Sequence, residues 1–250
     1  MKVLNKSEVV QLKQVDHVYS ELCILSEVNH PFIIEMKGFG QDQINLYFLQ
    51  EYLPGGDLNN LILAKGFIPY EHAKFYAAQI SLIFKYLHEI RIIYRDLKPE
   101  NLVLNQNGFL KIIDFGFAKK IEGKTYTMCG TPNYMAPEII NNKGHSFPVD
   151  WWTLGILIYE LTVGIDPFND EDTFIVYQKI IKGKMKFPKN YDKDSKSFIK
   201  HLLVADVNKR YGSLNNGKEI FEHKWIKSID MKKLLLFQIE APFIPQDRNM

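Results

Sequence analysis

The stretch from Tyr94 to Gly116 constrains this chain more than any other. It opens with Tyr94-Arg95-Asp96-Leu97-Lys98-Pro99-Glu100-Asn101, and Asp114-Phe115-Gly116 begins thirteen residues after Asn101. One short segment therefore carries a candidate catalytic carboxylate, a lysine and two further candidate metal ligands. Transfer of a phosphoryl group from Mg·ATP to a hydroxyl needs such a set, because the transferred group is already an electrophile and the protein mainly positions it and neutralises charge. In that chemistry Asp96 can accept the hydroxyl proton and Lys98 can sit on the transferring phosphate. Asn101 and Asp114 can hold metal ions, since Mg²⁺ takes a few oxygen ligands and keeps waters.

Composition sets the outer bounds. The 250 residues are 46% hydrophobic and 24% charged, an ordinary globular balance that allows a sizeable core. A net charge of +2 implies no strong pull toward nucleic acid or a membrane surface. Cys23 and Cys129 lie far apart without metal-ligand spacing and read as free thiols of a reducing, cytoplasmic compartment. Residues Met1 to Gln14 have no apolar core of signal-peptide type. The longest mainly apolar run, Trp151 to Val163, is too short to span a bilayer and contains Glu160, so it reads as a buried helix.

Periodicity divides the chain into two regions. Lys2 to Leu4 reads as the end of a strand and Ser7 to Val28 as one or two helices. Asn29-His30-Pro31 ends them. Phe32 to Met36 and Leu46 to Glu51 read as strands around a polar turn at Gly40 to Gln43, and Pro54-Gly55-Gly56 as a hinge. From Asp57 onward helices dominate: Tyr70 to Ile90, Asp150 to Val163, Phe174 to Lys182, Ser195 to Val204 and Gly217 to Lys224. Leu102 to Leu104 and Phe109 to Ile113 form a hairpin around Asn105 to Gly108. The fold class is α+β, a small strand-containing lobe joined to a larger helical one.

These motifs, in this order, resemble the eukaryotic protein kinase family, and Ala136-Pro137-Glu138 follows Asp114 at the family's distance. Tyr94 before Arg95-Asp96 resembles the AGC group. Gly55-Gly56-Asp57, Phe75 to Gln79, Asp114 to Lys119 and Cys129-Gly130-Thr131-Pro132 resemble the cyclic-nucleotide-dependent kinases, cAMP- and cGMP-dependent alike. Lys98-Pro99-Glu100 fits a serine/threonine kinase. The resemblance runs from Met1 to Pro245. It implies a bilobal kinase fold with residues 1–50 in an incomplete small lobe, 51–56 as hinge, 57–227 as large lobe and 228–250 as the start of an AGC-type tail.

The resemblance also implies roles. ATP and Mg²⁺ are the expected cofactors. Lys2 stands where the family holds the α- and β-phosphates, with Glu21 as its helical partner. Glu51, Leu53 and Val103 are expected around adenine, with Gln50 polar where similar kinases are apolar. Asp57 is expected on ribose and on a substrate arginine, and Glu100 and Glu160 on further substrate arginines. Met128, with Pro132 and Met135, forms a pocket for the residue after the acceptor. Thr127 is the expected activating phosphosite, with His17, Arg95 and Lys119 to receive its charge. Leu25, Met36, Tyr94 and Phe115 match an apolar column between the lobes. Glu138 and Arg210 are expected to form a buried ion pair, and Asp150 to cap its helix and orient the catalytic loop.

Expected partners are proteins with arginine upstream of Ser or Thr, an activating kinase, and a cyclic-nucleotide-binding regulatory subunit or fused regulatory domain. Neither nucleic acid nor a membrane span is expected. The family's Gly-rich phosphate-covering loop belongs upstream of Lys2, and no Gly-x-Gly-x-x-Gly occurs in the chain. A chain of this extent is therefore expected to be weakly active or inactive. A catalytically impaired binding module is the alternative reading.

Overall fold

The computed structural model describes residues 1–214 and 217–245, so the end of the predicted tail, residues 246–250, lies outside the described residues. The N-terminal region forms a three-stranded antiparallel sheet in the order β1-β3-β2, from β1 (Lys2–Asn5), β2 (Met36–Gln41) and β3 (Asn45–Gln50). Two helices intervene, α1 (Lys6–Gln11) and α2 (Val15–Glu27). Asn5 starts α1 by accepting from the backbone N–H of Ser7 and Glu8 at 2.9 and 3.3 Å. Lys13, at φ 55°, separates the two helices.

The second strand is displaced from its predicted place. Phe32, Ile33 and Ile34 are all buried and do not join the sheet. They bond instead to Ile112, with Ile34 N–H donating to the Ile112 carbonyl and Ile112 N–H to the Phe32 carbonyl, each at 3.0 Å. A consecutive apolar run has no solvent face to alternate with. The strand forms instead at Met36–Gln41, where half-buried and exposed residues alternate. The turn follows at Asp42, whose Oδ1 accepts from Ile44 N–H and Asn45 N–H, each at 2.7 Å.

Helices α3 (Leu58–Lys65) and α4 (Tyr70–Glu89) begin the larger lobe. The hairpin is β5 (Leu102–Leu104) with β6 (Leu110–Ile112), and β4 (Ile92–Ile93) pairs with β7 (Lys119–Lys120). Then come α5 (Pro137–Ile140), α6 (Pro148–Val163), α7 (Thr173–Lys182) and α8 (Lys193–Leu202). The predicted helix over 217–224 is two short ones, α9 (Lys218–Glu222) and α10 (Lys224–Lys227), followed by α11 (Met231–Leu235). The break falls at His223, whose Nδ1 accepts from Trp225 N–H at 3.2 Å and so starts the next helix.

Helix α6 is the axis of this lobe. It is apolar around its circumference and buried along nearly its whole length, including Trp151, Trp152, Leu154 and Leu157. A helix apolar on all sides can only be stable inside a core. Among the described residues no helix is long and apolar enough to cross a membrane, and both cysteines are free.

The hinge follows β3. Gly55 donates to the Leu104 carbonyl at 3.0 Å, and a Cβ at Gly55 would lie 2.5 Å from that same oxygen. Only glycine lets the hinge approach β5 this closely.

Candidate active site

The segment from Asp96 to Asn101 precedes β5. Leu102 N–H closes the single turn Pro99–Asn101 on the Pro99 carbonyl, and Ile113 N–H donates to the Asn101 carbonyl at 3.1 Å. That bond ties the loop to the residue before Asp114. Asp96 is buried, 5% exposed, and three side chains meet its carboxylate. Asn101 Nδ2 donates to Oδ2 at 2.9 Å and to the Asp96 carbonyl at 2.8 Å. Lys98 Nζ lies 3.1 Å from Oδ2. Thr131 Oγ1 donates to Oδ1 at 3.1 Å. With both amide hydrogens of Asn101 directed at Asp96, its Oδ1 is the end able to face a cation.

The loop's backbone is held from below. Asp150 is fully buried in the first turn of α6. Its carboxylate accepts from Tyr94 N–H at 3.0 Å and Arg95 N–H at 2.9 Å, and lies 2.8 Å from His88 Nε2. It makes no helix-capping hydrogen bond, so that half of the expectation is corrected. The residue is committed to the loop because Arg95 is held at φ 71°, a left-handed conformation that needs outside support.

Across the cleft, Lys2 on β1 pairs with Glu21 on α2 at 2.8 and 2.9 Å, and its Nζ lies 3.7 Å from Asp114 Oδ1. Burial pushes the Glu21 carboxyl above its ordinary range, and Lys2 partly opposes this. Asp114 also accepts from Gly116 N–H at 2.9 Å, and its side chain is 44% exposed, leaving oxygen free for a ligand. Lys2 and Asp114 line a cavity of about 350 Å³, together with Ile34, Leu53, Val103 and Ile113. This size suits a small-molecule site. Gln50 and Glu51 complete the lining. Glu51 turns its carboxylate to Lys111 and to Glu35 N–H.

The described residues hold no group of three or more His, Cys, Asp or Glu able to cage a metal ion. That is compatible with Mg²⁺, which is commonly held by one or two protein groups together with substrate phosphates. Asn101 and Asp114 supply hard oxygen donors of that kind.

Other predicted site residues scatter more widely. Asp57 caps α3, accepting from Asn60 N–H and Asn60 Nδ2, each at 2.7 Å. Glu100 is exposed. Glu160 accepts from the Tyr134 hydroxyl, and burial raises its pKa to about 7, with Asp166 and Glu100 adding to the rise. Met128 is 54% exposed whereas Met135 is buried, with the Tyr177 hydroxyl 3.8 Å from its sulfur. Thr127 is exposed on the loop after Asp114. Of the three cations expected to receive its charge, Arg95 donates through Nε to the Phe117 carbonyl at 2.7 Å, His17 packs on Phe117 at 5.8 Å, and Lys119 Nζ reaches Thr125 Oγ1 at 3.4 Å. Arg95 Nη1 is buried with no hydrogen-bond partner among the described residues.

Tyr94 and Phe115 are fully buried edge to face at 5.3 Å, with Leu25 also buried. Glu138 and Arg210 form the buried ion pair through two hydrogen bonds of 2.6 and 2.8 Å. Gly130 lies at φ 104°, and a Cβ there would come within 2.8 Å of the Arg95 carbonyl, so glycine lets Thr131 reach Asp96. Thr131, His88 and Tyr134 carry roles that the sequence reading did not assign.

The protein kinase domain family matches residues 1–226. A cAMP-dependent protein kinase catalytic subunit of Dictyostelium discoideum is 49% identical over 247 residues, 98% of this chain and 38% of that protein. The human cAMP-dependent protein kinase catalytic subunit PRKX is 44% identical over 247 residues, 98% of this chain and 69% of that protein. The Saccharomyces cerevisiae cAMP-dependent protein kinase type 3 is 44% identical over 246 residues, 98% of this chain and 62% of that protein. The chain thus spans 38% and 42% of the Dictyostelium and Drosophila relatives it matches.

Proposed function

The chain belongs to the protein kinase domain family, and on that premise we propose that it transfers the γ-phosphate of Mg·ATP to Ser or Thr of arginine-containing proteins. The observation that carries this reading is the convergence of Asn101, Lys98 and Thr131 on the Asp96 carboxylate. Asp96 is the group that receives the hydroxyl proton. Asn101 and Thr131 fix its two oxygens, so the acceptor hydroxyl meets a carboxylate already turned toward it. Lys98, beside Asp96, offers its charge to the transferring group. Lys2 binds the non-transferred phosphates, and Glu21 holds it in place. Asn101 and Asp114 would hold Mg²⁺, whose contribution is neutralisation of phosphate charge. Leu53 and Val103 would enclose the base.

Substrate arginines are assigned to Glu160 and Glu100, with Asp57 a weaker reader because its carboxylate already caps α3. Phosphate on Thr127 would draw His17, Arg95 and Lys119 together. The unpartnered Arg95 Nη1 supports that role. A cyclic-nucleotide-responsive regulatory partner is proposed from the names of the relatives, which are catalytic subunits. A peptide array scanning arginine position around Ser, Thr and Tyr acceptors tests the specificity. Arginine-dependent labelling of Ser and Thr is expected. Labelling indifferent to arginine would refute the substrate assignment.

A further inference from the structure

The whole-chain charge of +2 conceals an uneven distribution. Residues 182–200 carry seven lysines against two aspartates, a net of +5, so the rest of the chain totals −3. The segment runs from the end of α7, through the connection to α8, and along most of that helix. Its two carboxylates are already engaged: Asp192 accepts from Ser195 N–H at 2.7 Å, and Asp194 pairs with Lys224. Among the described residues none of the seven lysines forms an ion pair with a carboxylate. The backbone that carries them is fixed. The Lys186 carbonyl accepts from the Tyr159 hydroxyl of α6 at 2.6 Å, and Phe187 packs on the Tyr159 and Tyr191 rings at 5.5 and 4.9 Å. Met185 and Phe187 are half-buried against the core while Lys184, Lys186 and Lys189 are exposed, so lysines line the outer side of the connection.

Neighbouring like charges repel, and an anionic surface relieves that repulsion. Three features narrow the partner. All seven cations are lysines, point charges suited to a diffuse negative surface rather than to the bidentate pairing that arginine makes. The segment offers no exposed aromatic ring on which a base could stack: Phe187 is half-buried with the Lys196 ammonium over its ring at 5.0 Å, and Tyr191 and Phe198 are buried. Adjoining Lys182, helix α7 exposes Ile181, seven residues after the exposed Phe174 and on the same face of that helix. Clustered lysines flanked by exposed apolar side chains fit the headgroup layer of an anionic bilayer. We propose that residues 182–200 form a docking surface for anionic phospholipid, holding the folded chain at a bilayer surface without spanning it.

The test is co-sedimentation of the full chain with phosphatidylcholine vesicles, with and without phosphatidylserine. Binding is expected only where phosphatidylserine is present, and it should fall steeply as salt is raised. Lys184→Gln, Lys186→Gln and Lys189→Gln together should weaken it about a hundredfold, the scale of three lysines at an anionic surface. The same change of charge at Lys13, Lys232 and Lys233, exposed lysines outside the segment, should weaken it a few-fold at most. Thermal melting confirms that both variants are folded. The proposal is overturned if phosphatidylserine adds nothing to binding, or if the two variants lose binding equally. It is also overturned if duplex DNA or polyglutamate, at equal concentration of negative charge, strips the chain from the vesicles, since the patch would then serve a different polyanion.

Discussion

At Asp96 the decisive fact is that both carboxylate oxygens are already engaged by side chains of this chain. Thr131 supplies the bond to Oδ1, so Thr131→Val keeps the shape and removes that donor. We predict kcat lower by about tenfold, the scale of one hydrogen bond of about 1.4 kcal/mol to a charged group, with ATP affinity unchanged. Steady-state kinetics against nucleotide titration checks it. That Asp96, Lys98 and Asn101 lie together was legible in the sequence because they fall within six residues. Thr131 was not. It lies 35 residues from Asp96, and no local pattern marks which threonine will reach a distant carboxylate.

Glu160 gives the pH dependence. Its carboxyl is buried against Tyr134, with Asp166 and Glu100 nearby and its pKa at about 7. Below that pH it is neutral and pairs poorly with arginine; above it the carboxylate forms. The KM for an arginine-containing peptide should therefore fall about tenfold between about pH 6 and pH 8, with kcat little changed. Glu160→Gln should give a high KM that no longer depends on pH. The sign for stability is opposite. The folded pKa lies above the ordinary 4.5, so this group's contribution is fully present below pH 4.5 and lost as pH rises through 7.

At the scale of elements, helix α6 supports the catalytic loop through Asp150. Removing the carboxylate leaves the Tyr94 and Arg95 N–H groups and His88 without their acceptor. Asp150→Ala should cost about 3 kcal/mol in urea unfolding, and the loop it orients should lose activity as well. The helices of the larger lobe were legible because their apolar stripes are long and periodic. The strand predicted at Phe32 to Met36 was misplaced because an apolar run looks the same whichever strand it pairs with. Contact with β6 decides between them, and that partner lies some 78 residues away. The loop carrying Thr127 is also an element-scale question. Thr127→Ala should leave activity low and the segment from Lys119 to Met128 open to protease, and full activity in that variant would contradict the assigned role.

For the molecule as a whole, the Glu138–Arg210 pair joins α5 to the loop between α8 and α9. Arg210 is fully buried, bonds the Pro148 carbonyl at 3.0 Å and lies over the Trp152 ring at 5.1 Å. Arg210→Ala strands a buried carboxylate and should destabilise the fold by about 3–5 kcal/mol, read as a large fall in Tm. The two-lobed layout was legible from the hinge glycines and the change from strands to helices. The closeness of Lys2, Glu21 and Asp114 was implied only by family resemblance, because nothing local to those residues specifies it.

The most direct test of the whole account is a single-turnover assay. The chain is mixed with Mg·ATP and an Arg-Arg-x-Ser peptide, phosphopeptide is measured by mass spectrometry, and Asp96→Asn is run alongside. The account predicts phosphopeptide from the unmodified chain, formed slowly in line with the weak activity expected of it, and from Asp96→Asn intact ATP binding with transfer slower still by at least about a hundredfold. Equal transfer by both proteins, or ATP binding without any transfer by the unmodified chain, would contradict it.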